Sequence, residues 1–416
     1  MADFAELMEL FSRPRPSGSA AEHATLEAMH AWLDARGVAY QVHRFRLYPY
    51  FFEAAGAWLI ASRTLLAAAA LRRWGWRALP VALVGQLGGT ADIFGLPLVT
   101  WPGATEGASL ILPFGPPGAE RELLICAHYD SKTELLDHRR RAVLLRGLRP
   151  GSALTFAAAL LAASEGWLRA KRRSLAPLAH ALAVATALPV LLLAWALGLN
   201  LLLGRLARPS SGAVDDGAAC AILLALAARL ARGELSPRRT RVTLALFGGE
   251  EVNMQGSRAY VRHRRRPNVA RSTLNVADAL ADVQRSTFNR MPDAVVNLEL
   301  MGQRGGYVLW QRDGNALRTL PTSPAANALI RAAVREVTGA EPHSEPLINS
   351  DAYAFLAAGV PAGVLGTRDP LLGTSGLHRP SDTPARVDPA RLAEGLAVLE
   401  AIIRRFDIDR GAAGAR

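Results

Sequence analysis

Residues 241–251 read Arg-Val-Thr-Leu-Ala-Leu-Phe-Gly-Gly-Glu-Glu. Val242, Leu244 and Leu246 alternate with smaller or polar residues, and Gly248 and Gly249 close the run. This pattern predicts a strand over 241–247 that delivers Glu250 and Glu251 from its carboxyl end. The same grammar recurs elsewhere. The apolar run Leu123 to Ala127 ends in His128-Tyr-Asp130, and a strand predicted at 294–300 holds Asn297-Leu-Glu299. Helical spacing separates these runs at 218–230, 256–261, 325–337 and 389–404. Near the amino end, Leu26, Met29, Trp32 and Leu33 predict a helix over 20–37, and 38–47 alternates as a strand. Strands alternating with helices predict a three-layer α/β/α domain on a mainly parallel, mixed sheet. In such a sheet, ligand sites form in the crevice at the carboxyl ends of strands.

At 416 residues, half of them apolar, the chain can bury a large core. The net charge is +12, and only Lys132 and Lys171 are lysines, so nearly all the positive charge is Arg. No basic stripe interleaves with aromatics and no nucleic-acid motif is present, so nucleic acid is not an expected partner. Cys126 and Cys220, each within an apolar run, are expected to be small buried side chains, not a disulfide framework. Residues 1–7 lack a basic stretch followed by an apolar core, so no secretory signal is expected there.

Two apolar stretches interrupt the α/β pattern. Leu175 to Leu203 is 29 residues without Asp, Glu, Lys or Arg, and only His180 and Asn200 are notably polar. About 20 helical residues span a bilayer core, so this run is expected to cross one. The apolar stretch 152–168 precedes it across Lys171, Arg172 and Arg173, which together predicts a helical hairpin. A weaker hairpin is expected from 54–71 and 78–99, interrupted by Arg63 and Asp92. Six of the eight tryptophans (Trp58, Trp74, Trp76, Trp101, Trp167 and Trp195) fall between 48 and 104 or between 134 and 209, as suits a membrane interface.

The chemistry is concentrated in five places: His128-Tyr-Asp130, Asp215-Asp216, Glu250-Glu251, Asn297-Leu-Glu299, and His378 before Ser381-Asp382-Thr383. Each alone reads equally as a solvated acidic turn. Together they supply neutral imidazole and carboxylate donors, which are ordinary zinc ligands, and a carboxylate can bridge two ions. The adjacent pair Glu250-Glu251 can put one carboxylate on metal and leave the other for proton transfer.

At these residues the chain resembles the co-catalytic di-zinc aminopeptidases of the aminopeptidase S and Y type, whose relatives include glutamate carboxypeptidases and glutaminyl cyclases. The matching stretches are Leu-Leu-Ile-Cys-Ala-His128-Tyr-Asp130-Ser, Gly212-Ala-Val-Asp215-Asp-Gly, Phe247-Gly-Gly-Glu250-Glu251, Gly256-Ser-Arg-Ala-Tyr-Val, Val296-Asn-Leu-Glu299-Leu-Met-Gly, Ser350-Asp351 with Gly359-Val-Pro361, and His378-Arg-Pro-Ser-Asp382-Thr-Pro. The resemblance implies two zinc ions: His128 and Glu299 on one, Glu251 and His378 on the other, and Asp215 bridging, with Asp216 the alternative bridge. It implies Glu250 as general base and Asp130 as the partner that orients His128. It also implies peptide substrates with a free N-terminus, and broad or apolar side-chain preference is expected. A glutaminyl cyclase-like acyltransferase is the alternative, since His128-Tyr-Asp-Ser-Lys132 and Cys220 resemble that branch; an inactive membrane receptor or chaperone is a third reading.

The chain departs from the family in three ways. Glu299 stands where Asp is frequent. No tyrosine occupies Leu347 or Ile348 before the Ser-Asp pair, leaving the oxyanion donor unassigned. The gap from His128 to Asp215 is lengthened by the apolar hairpin. The expected organisation is therefore a peptidase domain from 1–47, 105–133 and 210–405, helical insertions at 48–104 and 134–209, and a tail at 406–416. An integral membrane protein is expected, with the catalytic domain on the cytoplasmic side; oligomeric state is not legible. His23, His30 and His43 are expected to be surface or packing residues, His138 and His263 solvated, and His343 a weaker substrate-contact candidate.

Overall fold

The computed structural model describes residues 4–93, 103–265, 290–315 and 318–408. The strand expected at 241–247 occupies 240–247, and every residue of it but Arg241 is buried. Thr243 and Ala245 are as enclosed as Val242 and Leu244. The alternation in the sequence therefore marks a central strand covered on both faces, not one with a solvated side.

In chain order the elements are α1 (Phe4–Leu10), α2 (Ala20–Asp34), β1 (Gln41–Leu47), α3 (Phe51–Leu71), α4 (Ala78–Ile93), β2 (Thr105–Phe114), β3 (Arg121–His128), α5 (His138–Arg146), α6 (Leu148–Ala170), α7 (Ala176–Leu203), α8 (Ala218–Ala231) and β4 (Thr240–Phe247). They continue with α9 (Gln255–Arg265), β5 (Ala294–Glu299), β6 (Tyr307–Trp310), β7 (Arg312–Gly314), β8 (Thr319–Pro321), α10 (Pro324–Thr338), β9 (His343–Glu345), α11 (Ala352–Leu356), β10 (Ala362–Thr367) and α12 (Pro389–Ile408). The rest of the expected tail and of the helix expected to reach Val99 lies outside the described residues.

Eight strands form one sheet in the order β1-β2-β4-β3-β5-β10-β6-β9, while β7 and β8 pair separately. Four of its seven pairings are parallel: β4 with β3, β3 with β5, β5 with β10, and β6 with β9. The antiparallel pairings join β1, β2 and β4 on one side and β10 and β6 on the other. The mainly parallel, mixed sheet expected from the pattern is present, with its parallel heart in the middle. Helix α8 is buried on nearly every side, as suits its apolar composition. Cys126 and Cys220 are both free and buried.

The two apolar insertions meet. Helices α3, α4, α6 and α7 pack as one bundle, with α3 against α7 as its most extensive contact. Its interior is built from Leu66, Ala67, Ala69, Ala70, Ala158, Ala159, Ala162, Ala183 and Ala187. Large apolar side chains point outward instead: Trp76, Leu83, Leu87, Leu160, Trp167, Leu178, Leu188 and Leu192 are exposed. Small residues inside and large apolar ones outside invert the arrangement of a water-soluble bundle. At the crossing of α3 and α7, a Cβ on Gly56 would lie 2.6 Å from the carbonyl oxygen of Gly198, so glycine permits this approach. Arg63, expected to interrupt the first hairpin, is buried and donates to Gln86 Oε1 at 2.8 Å. By length and composition, Phe51–Leu71 and Ala176–Leu206 can each cross a membrane.

Candidate metal centre

Strands β4, β3 and β5 lie side by side and run parallel, so their carboxyl ends emerge together. His128 pairs in register with Phe247, the last residue of β4, and β5 pairs Asn297 with Cys126 two residues earlier. This topology alone gathers His128, Glu250, Glu251 and Glu299. Asp215 enters from the turn before α8, and His378 from the loop between β10 and α12. The two loops are tied together: Asp382 Oδ1 accepts from the amide of Val214 at 2.8 Å, and Ser211 Oγ donates to the Asp382 carbonyl.

All six side chains are buried. Asp215 presents Oδ1 to His128 Nε2 at 3.3 Å and Oδ2 to His378 Nε2 at 3.1 Å. Glu251 Oε1 stands 3.0 Å from His378 Nε2, and Glu250 Oε2 3.9 Å from His128 Nε2. Ligand atoms of His128, Asp215 and Glu299 lie within 4.8 Å of one another, as do those of His128, Glu250 and Glu251. The neighbouring Asp216 faces away, accepting from the amide of Leu300 at 3.2 Å.

Asp130 is the hub beneath. It is fully buried and accepts from Ser17 Oγ at 2.6 Å, from the amide of Glu250 at 3.2 Å and from the amide of Glu251 at 3.1 Å. Its Oδ1 lies 3.5 Å from His128 Nδ1. One carboxylate thus fixes the turn carrying both glutamates and faces the rear of the histidine. Glu299 Oε1 accepts from Asn297 Nδ2 at 3.1 Å.

The electrostatics describe a centre crowded with negative charge. Burial alone would depress the His128 imidazole, but the Asp130 and Asp215 carboxylates hold it well above its usual range. Burial works against Asp215 in the same way, and the two histidines overcome it, holding Asp215 well below the carboxylate range. Burial drives Glu250 up, with Glu251 and Glu299 adding to the effect; Glu299 rises by burial and by Asp216. Two histidines cannot balance this many enclosed carboxylates. Glu251 Oε1 and both oxygens of buried Asp351 have no hydrogen-bond partner among the described residues. Orphaned buried oxygens beside neutral-capable imidazoles fit divalent cations with a taste for N and O donors, zinc first among them.

Some residues at the site carry no signal in the pattern. Glu134, buried just after β3, lies 3.6 Å from His378 Nδ1 through its Oε1. Lys132 Nζ sits 3.0 Å from Glu134, 4.0 Å from Glu251 and over the Phe52 ring at 4.0 Å. His138, expected to be solvated among arginines, is half-buried and groups with Asp215 and His378. Burial, with Arg141 and His378 beside it, pushes its pKa down to about 3, so it is neutral. His263 is exposed, as expected. His343 lines a depression at the far sheet edge with Gly306 and Arg368, apart from this cluster.

Residues 196–402 match peptidase family M28. No curated protein matches the chain by sequence. Among solved structures, the aminopeptidase from Aneurinibacillus sp. strain AM-1 is 13% identical with a TM-score of 0.52, over 97% of this chain and 94% of that one. Fimbriiglobus ruber glutaminyl cyclase is 14% identical with a TM-score of 0.53, over 96% and 92%. BSAP, a zinc aminopeptidase from Bacillus subtilis, is 12% identical with a TM-score of 0.51, over 98% and 95%. At these identities the structures speak to the fold, which they share with this chain. The match covers the segment that carries Asp215, Glu250, Glu251, Glu299 and His378: this segment is an M28 peptidase domain, and the chain is a zinc metallopeptidase.

Proposed function

We propose that the chain is a membrane-anchored aminopeptidase with two zinc ions, one held by His128 and Glu299, the other by Glu251 and His378, and Asp215 shared between them. The observation that carries this reading is Asp215, whose two oxygens face the Nε2 atoms of two different histidines at 3.3 and 3.1 Å. A zinc pair at such a site polarises a scissile carbonyl and acidifies water. Glu250 is the remaining carboxylate next to this position, its amide anchored on Asp130. It takes the proton from the attacking water and returns it to the leaving amine. Asp130 keeps the Glu250-Glu251 turn and the His128 ring in place, so neither has to reorganise during turnover.

The catalytic domain comprises 1–47, 105–133 and 210–405, and the inserted helices anchor it. The outward-facing leucines and tryptophans of the bundle support this, because so many exposed large apolar side chains suit lipid, not water. Each insertion is a hairpin and returns the chain to the side it left, so the motifs stay in one compartment. Washing membranes with alkaline carbonate checks the anchoring: the protein is expected in the pellet, and its release intact into the supernatant overturns that part.

The activity is tested by supplying purified enzyme with an aminoacyl-anilide and, separately, with a peptide bearing N-terminal glutamine. Release of the anilide product is expected. Cyclisation of the glutaminyl peptide without anilide hydrolysis would favour the acyltransferase reading, and neither activity from a zinc-loaded chain would favour a receptor or chaperone.

A further inference from the structure

Asn200 is the feature of α7 that its membrane role does not use. It lies in a run without a formal charge yet is only 1% exposed. An unpartnered buried amide costs about 1–3 kcal/mol, and Asn200 is not unpartnered. Its Nδ2 donates to Glu134 Oε2 at 3.1 Å, and its Oδ1 accepts from the amide of Leu136 at 2.7 Å. The end of α7 presses on the same segment: a Cβ on Gly204 would lie 2.6 Å from the Thr133 carbonyl oxygen.

Glu134, held this way from one side, faces His378 on the other. Its amide donates to the His378 carbonyl at 3.0 Å, and its Oε1 approaches His378 Nδ1 at 3.6 Å. His378 Nδ1 is buried and has no hydrogen-bond partner among the described residues. The opposite nitrogen, Nε2, is the one that faces Asp215 and Glu251. The Glu134 carboxylate is itself fixed by Arg141 Nη1 at 2.5 Å and Lys132 Nζ at 3.0 Å, and Arg379 Nη1 donates to the Glu134 carbonyl at 2.9 Å. A carboxylate behind the non-ligating nitrogen fixes the tautomer and orientation of a metal-binding histidine and raises its basicity.

We propose that Glu134 is the positioning residue for His378 and that Asn200 holds Glu134 in place, so that the apolar helical bundle sets the metal affinity of the Glu251/His378 half of the centre. The inference rests on the two-metal reading above. It makes the insertion part of the enzyme's metal site and not only its anchor: with Asn200 turned away, Glu134 loses a donor, and the His378 ring loses its backing.

The full chain in detergent, loaded with zinc and equilibrated against a series of buffered chelator concentrations, tests this. Bound metal is measured by mass spectrometry, and the metal-free protein is melted in parallel. Glu134→Gln keeps the shape and drops the charge, whereas Asn200→Leu removes the clip from a helix that tolerates leucine. Each is expected to weaken one of the two zinc ions by about 10–100-fold and leave the other at wild-type affinity, even where the metal-free melting temperature falls. Wild-type affinity for both ions in both variants overturns the proposal. So does an equal loss at both ions accompanied by a lower metal-free melting temperature, which would make Glu134 a structural strut. Failure of the wild-type chain itself to bind two zinc ions would instead sink the underlying two-metal reading, and it is visible before any variant is made.

Discussion

Replacing Asp130 with Asn is the sharpest probe of how the centre is held. Its Oδ1 accepts from the Glu250 amide and its Oδ2 from the Glu251 amide and from Ser17 Oγ. An asparagine presents an oxygen to one side only, so whichever way the amide turns, an NH₂ group meets a backbone N–H. One charge-assisted hydrogen bond disappears, worth about 1.5–3 kcal/mol, and one buried donor is left without an acceptor at about 1–3 kcal/mol. Asp130 is fully buried, so water cannot substitute. The sum is about 2.5–6 kcal/mol, which at roughly 2–4 °C per kcal/mol for domains of 150–250 residues lowers the melting temperature by about 5–24 °C. The assay is thermal unfolding of the metal-free protein, so that loss of zinc does not enter. Ser17→Ala is the control: it removes one neutral donor and is expected to cost about 1 kcal/mol. An Asp130→Asn protein melting within about 2 °C of wild type would refute the hub, because no arrangement of an amide satisfies both backbone donors.

Two further predictions follow from buried charge elsewhere. Arg264, fully buried, pairs with Glu122 at 2.5 Å, so Arg264→Met strands Glu122 and is expected to destabilise the domain by about 3–5 kcal/mol; the double variant with Glu122→Gln should recover much of that in the same melting assay, and a neutral single variant would contradict the pairing. Burial pushes Asp313 up to about 7, although it accepts from Ser350 Oγ at 2.5 Å and from the Ser350 amide at 3.0 Å. An acid raised on folding binds its proton more tightly in the folded state, so its contribution is fully present below the unfolded pKa of about 3.9 and is lost as pH rises to about 7. Over that window the loss is on the order of 4 kcal/mol, and Asp313→Asn, whose amide can serve both groups of Ser350, should flatten the decline of melting temperature between pH 4 and 7; an unchanged profile would contradict it.

The central sheet was legible because its strands are apolar runs that end in chemistry. Leu123 to Ala127 followed by His128, and 241–247 followed by Glu250 and Glu251, announce both a buried strand and the loop that leaves it. The sheet beyond β10 was less legible: β6 and β9 are 4 and 3 residues long, too short for periodicity to register. The candidate ligands were found as an ordered set of motifs, whereas Glu134 and His138 were not, since neither belongs to a motif and both are brought to the site by the return of the inserted helices. Their roles depend on contacts between residues 66 and 244 positions apart in the chain, as Glu134 makes with Asn200 and with His378; no local pattern encodes these. The hairpins could be read from their lack of charge, but not that α3 and α7 would pack on one another through Gly56 and Gly198 into a single bundle.

The two-metal account meets its most direct test in Glu250→Gln, assayed for zinc content and for aminoacyl-anilide hydrolysis on the same preparation. The substitution keeps the volume and the Asp130-anchored amide but leaves nothing to accept the water proton. Zinc is expected at about two ions per chain, as in wild type, with turnover reduced by about 10²–10⁴-fold. Near-normal turnover with the metal retained would contradict the assignment of Glu250, and loss of zinc in this variant would show that Glu250 is a ligand and that the proton is moved by another residue.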